Sequence, residues 1–122
     1  MPLYMTVTKY SEESLQALAE HPSDRPQQVA KVIESFGGRL KDFYWIFGDD
    51  DVVMIYEAPN NQAVFSILLT LSHGGALASQ KTYPLLSNDD AMGAMGRVGD
   101  TKTGYLSPVK EWEGWRDEGG MG

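Results

Sequence analysis

The sequence predicts an α+β domain in which one antiparallel sheet carries helices on one side. Three observations predict it. Strand-like and helix-like segments follow one another in the order strand, helix pair, strand, strand, helix, strand. The middle two strands are joined by a short polar turn, Gly48-Asp49-Asp50-Asp51, which permits a hairpin but no parallel crossover. A chain of 122 residues with 42% hydrophobic side chains also suits one small core rather than two.

Leu3 to Lys9, rich in Tyr, Thr and Val, reads as the first strand. Ser11 then precedes Glu12 and Glu13, a hydroxyl followed by two carboxylates that complement the positive end of a helix dipole. His21-Pro22 ends this helix after about two turns, because the residue before proline is pushed out of the α region. A second helix starts at Ser23 or Asp24, carries Val29, Val32, Ile33 and Phe36 at helical spacing, and stops at Gly37-Gly38. Leu40 to Phe47 and Val52 to Ala58 form the hairpin. Pro59-Asn60-Asn61 opens a third helix, whose Val64, Phe65, Ile67, Leu68 and Leu71 cover more than half its circumference and predict deep burial. His73-Gly74-Gly75 ends it. Leu77 to Tyr83 is the fourth strand, with Pro84 marking its edge or its end, and Ser87 or Asn88 caps a last short helix through Met95. The order is the split βαβ pattern, βαββαβ, of ferredoxin-like domains. The expected division is a domain over residues 1–96 and a C-terminal extension over 97–122, where six glycines punctuate polar text around Trp112 and Trp115.

The hairpin is apolar on both sides. Phe43, Trp45 and Phe47 alternate with Tyr44 and Ile46, and Val52, Met54 and Tyr56 alternate with Val53 and Ile55. A sheet with one solvated face would alternate apolar with polar. Helices of the same chain cover one face, so the pattern predicts a second copy on the other, in a symmetric homodimer whose two sheets form a barrel. The alternative is that the extension folds back and covers that face with Trp112 and Trp115.

Several ordered segments carry a family resemblance: Pro2-Leu3-Tyr4-Met5, Asp24-Arg25, Ile33 through Gly38, Phe43-Tyr44, Phe47-Gly48 through Asp51, Tyr56-Glu57-Ala58-Pro59 and Lys81-Thr82. Together, over residues 2–95, they resemble the GYD domain family. The family's eponymous segment, a Gly followed by a Tyr that precedes Asp, is altered here, since within Gly48-Asp49-Asp50-Asp51 the position of its tyrosine is taken by Asp50. The resemblance implies the dimeric α/β barrel superfamily, ferredoxin-like subunits paired through their sheets, and it transfers no activity.

The charge balance excludes several functions. Ten Lys and Arg stand against 17 Asp and Glu, a net charge of −7, and the basic residues are scattered, so neither nucleic acid nor an anionic membrane is an expected partner. No Cys is present, which removes disulfides, thiolate metal sites and Cys nucleophiles. The start lacks the pattern of a signal peptide and no apolar run approaches the ~20 residues of a membrane span, so a cytoplasmic protein is expected. Asp49-Asp50-Asp51 reads as a solvated turn rather than a cation site, because successive residues of an extended chain point to opposite faces. Gly93 through Gly99 has G-x-x-G-x-x-G spacing, not that of a dinucleotide loop. Neither a metal nor an organic cofactor is expected.

Tyr4, Tyr44, Tyr56 and Tyr83 fall on four different strands, and those that share a face would line an aromatic pocket with Lys81 fixing a ligand's polar end. These five are the candidate ligand-binding residues. His73 is the candidate general base, since an imidazole titrates near neutrality. Three functions fit: a small-molecule-binding homodimer, a cofactor-independent oxygenase or isomerase acting on a small aromatic or lactone-like substrate, and a protein-assembly subunit.

Overall fold

The structure, a computed structural model, describes residues 1–117. Its elements are β1 (Leu3–Tyr10), α1 (Glu12–Glu20), α2 (Arg25–Ser35), β2 (Arg39–Trp45), β3 (Val52–Glu57), α3 (Asn61–Ser72), β4 (Leu77–Leu85), α4 (Asn88–Asp100) and α5 (Pro108–Asp117). The four strands make one antiparallel sheet in the order β2-β3-β1-β4. The hairpin strand β3 is inserted beside β1, and β4 pairs along the other side of β1, which is the ferredoxin-like arrangement and the subunit fold of dimeric α/β barrels.

Register sorts the side chains. Tyr4 lies opposite Tyr56 and Pro84, and Thr6 lies opposite Met54 and Thr82, so these residues share one face with Thr8, Tyr10 and Val52. That face is covered by α2, through Val29 and Ile33, and by α3, through Val64 and Ile67. Ile33, Tyr56 and Ile67 are fully buried there. Met5, Val7, Val53, Ile55, Tyr44, Lys81 and Tyr83 occupy the opposite, outer face by the same alternation. Pro84 stands within β4, at the sheet edge, where its missing N–H breaks no ladder.

Caps fall where hydroxyls and amides permit them: Ser11 accepts from Ser14 N, Asp24 from Gln27 N, and Asn60 from Ala63 N at the starts of α1, α2 and α3. At the end of α2, Gly37 takes φ +84°, and the N–H of Gly38 bonds Ile33 O at 2.9 Å. Gly38 is pressed against Glu57 O and the Ile33 side chain, leaving no room for a Cβ.

Two expectations need correction. The apolar face of α3, read as Val64, Phe65, Ile67, Leu68 and Leu71, predicted deep burial, yet Phe65 is 63% exposed. A helix lying on a sheet buries the stripe that meets it, and here Val64 and Ile67 are buried, Leu68 and Leu71 pack half-buried beside them, and Phe65 faces out. The last short helix does not stop at Met95: α4 runs to Asp100 through Gly93, Gly96 and Gly99. Its Ser87 cap, with Asp89 and Asp90 in the first turn and Arg97 in the last, offsets the low helix propensity of the glycines.

One compact unit covers Met1–Leu86 and a second begins at Ser87, so residue 96 falls inside α4. In the second unit α5 sets Trp112 and Trp115 side by side, with ring centroids 5.0 Å apart. Residues 118–122 of the expected extension lie outside the described residues.

Candidate ligand-binding site

The structure divides the five ligand-binding candidates between the two faces of the sheet. Tyr4 and Tyr56, paired across β1 and β3, stack with centroids 5.9 Å apart and are 5% and 0% exposed. Each of their hydroxyls has a hydrogen-bond partner within the chain. Tyr4 Oη donates to Asn61 Oδ1 at 2.9 Å, while Tyr56 Oη and Thr6 Oγ1 are 2.9 Å apart, as are Thr6 Oγ1 and Thr82 Oγ1. Burial pushes the Tyr56 phenol above its ordinary pKa, and the hydrogen bonds from Thr6 and Thr82 offset part of that rise. A packed, satisfied network of this kind ties β1, β3, β4 and the start of α3 together.

Tyr44 and Tyr83 lie on the outer face, 60% and 46% exposed. Lys81 is on that face too, with Nζ 3.4 Å from Asp50 Oδ2. The aspartate run is a docking turn. Asp51 Oδ2 accepts from Tyr10 N at 2.9 Å, Asp51 N donates to Thr8 O at 2.9 Å, and Lys9 Nζ donates to Asp49 O at 3.3 Å. The carboxylates of Asp50 and Asp51 thus bind different partners, and among the described residues no cluster of carboxylates and imidazoles converges as a metal site. No helix of the described residues is long and apolar enough to cross a membrane.

His73 caps the C-terminus of α3, its N–H bonded to Thr70 O, and its side chain is exposed. It sits about 18 Å along α3 from the Asn61 end that Tyr4 touches, because twelve residues rise 1.5 Å each. The structure does not bring it to the tyrosine network.

Open space lies at the other end of the helix-covered face, where β1 ends at Tyr10. An inner cavity of about 40 Å³ has apolar walls from Val29, Phe43, Val52, Met54, Leu71 and Leu77. An outer cleft of about 340 Å³ opens beside it, lined by Ser14, Ala17 and Leu18 of α1 and by His21 and Ser23 of the following turn. Tyr10, Arg25 and Ala76 line both spaces, so the cavity and cleft share one wall. The cleft exists because α1 buries none of its residues and stands off the sheet, held by Ser14 Oγ on Ala76 O at 2.8 Å and by the Ser11–Ala76 backbone bond.

Tyr10 is fixed by stacking on Trp45, with centroids 5.7 Å apart, and Trp45 meets Phe43 edge-on at 6.0 Å. Arg25 is the first residue of α2, placed by the Asp24 cap before it and the helix-starting Pro26 after it. The residue as a whole is partly buried, and its guanidinium contact with Ser23 is exposed. Nη1 donates only to Ser23 Oγ, at 3.3 Å, and among the described residues no carboxylate pairs with it. None of the side chains lining either space is a carboxylate.

Sequence reasoning missed Tyr10, Arg25 and Ala76. The alternation Tyr4, Thr6, Thr8, Tyr10 does place the two tyrosines at opposite ends of one strand face, but nothing local marks an arginine at a helix start as the lining of a cavity.

A model of the GYD domain matches residues 4–95, three-quarters of the chain. No curated protein matches. Among solved structures, MtbAldR aligns with a TM-score of 0.52 at 13% identity, covering 71% of this chain and 52% of its own, so the chain spans about half of that protein. An uncharacterized NIPSNAP domain protein from Burkholderia xenovorans aligns at 12% identity with a TM-score of 0.40, covering 71% of this chain and 94% of its own. PA3566 from Pseudomonas aeruginosa aligns at 18% identity with a TM-score of 0.44, covering 70% and 93%. At such identities the likeness concerns the fold alone. The family match covers the whole sheet, and this chain belongs to the GYD domain family.

Proposed function

We infer that the chain is a small-molecule-binding subunit, with its site at the Tyr10 end of the sheet and its outer face joined to a second copy. The observation that carries the reading is the 340 Å³ cleft sharing a wall with an apolar cavity. Small-molecule sites combine a concave space of about 300–1,000 Å³, apolar walls and a few polar groups, which is the composition found there. In the tyrosine network, by contrast, every hydroxyl is already hydrogen-bonded within the chain.

Pairing is supported by the outer face. Met5, Val7, Val53 and Ile55 form an apolar centre on it, flanked by exposed Tyr44 and Tyr83. A second copy meeting this face through a two-fold axis would remove those side chains from water and close two sheets into a barrel. Asp50, where the family has tyrosine, is engaged by Lys81 at the margin of this face and contributes charge there rather than an aromatic ring.

Native mass spectrometry of the gently purified protein tests both parts. The reading expects the mass of two chains, with added small-molecule mass up to one per chain, and Ile55→Lys yielding the single chain. A single-chain mass for the unaltered protein would overturn the pairing. Binding is tested separately by titrating a mixture of small organic fragments, where saturable binding that Ala76→Leu abolishes is expected and none at millimolar concentration would overturn the site.

A further inference from the structure

We propose that the cleft takes a short-chain organic carboxylate, an anionic head held by Arg25 and a small aliphatic end lodged in the inner cavity. This deepens the binding reading and rests on it.

The charge distribution carries the first half. The chain has 17 acidic residues against 10 basic ones, yet none of the side chains lining the cleft or the cavity is acidic, and Arg25 lines both. Arg25 is partly buried as a residue, its guanidinium reaches the exposed Ser23 hydroxyl, and among the described residues no carboxylate pairs with it, so in a chain with carboxylates to spare it offers two parallel N–H donors to a planar oxyanion. Ser14, Ser23 and His21 supply further hydrogen-bonding groups around the same cleft. Arg25 is the one arginine among the described residues lining either space, so the site matches a single negative charge better than a phosphate dianion.

The second half follows from size. The cavity of about 40 Å³ is far smaller than the roughly 150 Å³ hole that accepts benzene in a protein core. Its walls are mostly Val, Leu, Met and Phe side chains, with Thr8, Tyr10, Arg25 and Ala76 completing them, and its volume admits one or two methyl groups and no ring. Tyr10 and Ala76 line both spaces, so a ligand spanning cleft and cavity would lie against them.

Trp45 supplies the readout, because it stacks on Tyr10. The chain has three tryptophans, and replacing Trp112 and Trp115 with Phe leaves Trp45 alone. In that background, fluorescence is titrated with 4-methylpentanoate, with 4-methylpentanamide and with inorganic phosphate. The expected result is saturable binding of the acid, at least tenfold weaker binding of the amide, and no competition by phosphate. Arg25→Gln should lower affinity for the acid at least tenfold and leave the amide unchanged, while Arg25→Lys keeps part of the affinity. Ala76→Leu should weaken both, and circular dichroism of each variant shows that the fold is intact. Equal binding of acid and amide, indifferent to Arg25→Gln but sensitive to Ala76→Leu, would overturn the carboxylate inference and leave the binding site standing. Phosphate competing as well as the acid would overturn the aliphatic half. Binding of neither organic probe would overturn the inference, and the failure of the fragment mixture as well would overturn the binding reading with it.

Discussion

The helix-covered face of the sheet is built differently at its two ends. At the Tyr4 end, two stacked tyrosines fill the space, each hydroxyl has a partner, and Ile33, Gly38 and Ala58 close the packing around them. At the Tyr10 end a tyrosine also stacks on an aromatic ring, but a cavity remains beneath it, a cleft opens beside it and a guanidinium lacks a carboxylate. Residue type alone therefore does not separate scaffold from site. What separates them is whether the polar groups are already satisfied and whether volume is left over.

Substitutions sharpen this contrast. The largest expected effect is at the closed end: Ile33→Ala leaves a hole in a fully buried position and should cost about 3 kcal/mol in urea unfolding. Gly38→Ala comes next, at about 2 kcal/mol, because the added methyl meets the Glu57 carbonyl and the Ile33 side chain, and the backbone must shift. Tyr56→Phe should cost about 1 kcal/mol, since Thr6 keeps its bond to Thr82 when the phenol is lost.

Tyr56 also makes a pH prediction. Its folded phenol holds its proton above the ordinary range, so the unfolded chain loses its proton first as pH rises. Stability is full below about pH 10 and falls above it, and Tyr56→Phe should flatten part of that fall when urea midpoints are compared at about pH 8 and pH 11. A variant as pH-sensitive as the parent would contradict the assignment. The smallest effect is at the open end: Val52→Ile adds one methyl beside a cavity of about 40 Å³ and should be neutral or stabilise by up to about 1 kcal/mol. A loss of 1–3 kcal/mol, typical of overpacking, would mean that the space is not open.

The fold was legible in the sequence because its cues are local. Two β-branched and aromatic segments around a polar turn marked the hairpin, Ser11, Asp24 and Asn60 marked helix starts, and Gly37-Gly38 marked a stop. The doubly apolar hairpin was legible too, since Tyr44, Val53 and Ile55 do face away from the helices. The site was not. Grouping Tyr4, Tyr44, Tyr56, Lys81 and Tyr83 required the register of four strands, and register placed Tyr44, Lys81 and Tyr83 on the outer face. An unfilled volume is a property of how α1, α2 and β1 meet, and that depends on tertiary distances no periodicity records.

The central claim is that small molecules enter at the Tyr10 end while the Tyr4–Tyr56 network is scaffold. Amide nitrogen–proton correlation spectra of the isotope-labelled protein, recorded during titration with 4-methylpentanoate, test it most directly. The account predicts saturating shifts at Tyr10, Ala17, Arg25 and Ala76, with Tyr4, Thr6, Tyr56 and Thr82 unmoved. Shifts concentrated on the tyrosine network, with Arg25 and Ala76 silent, would contradict it.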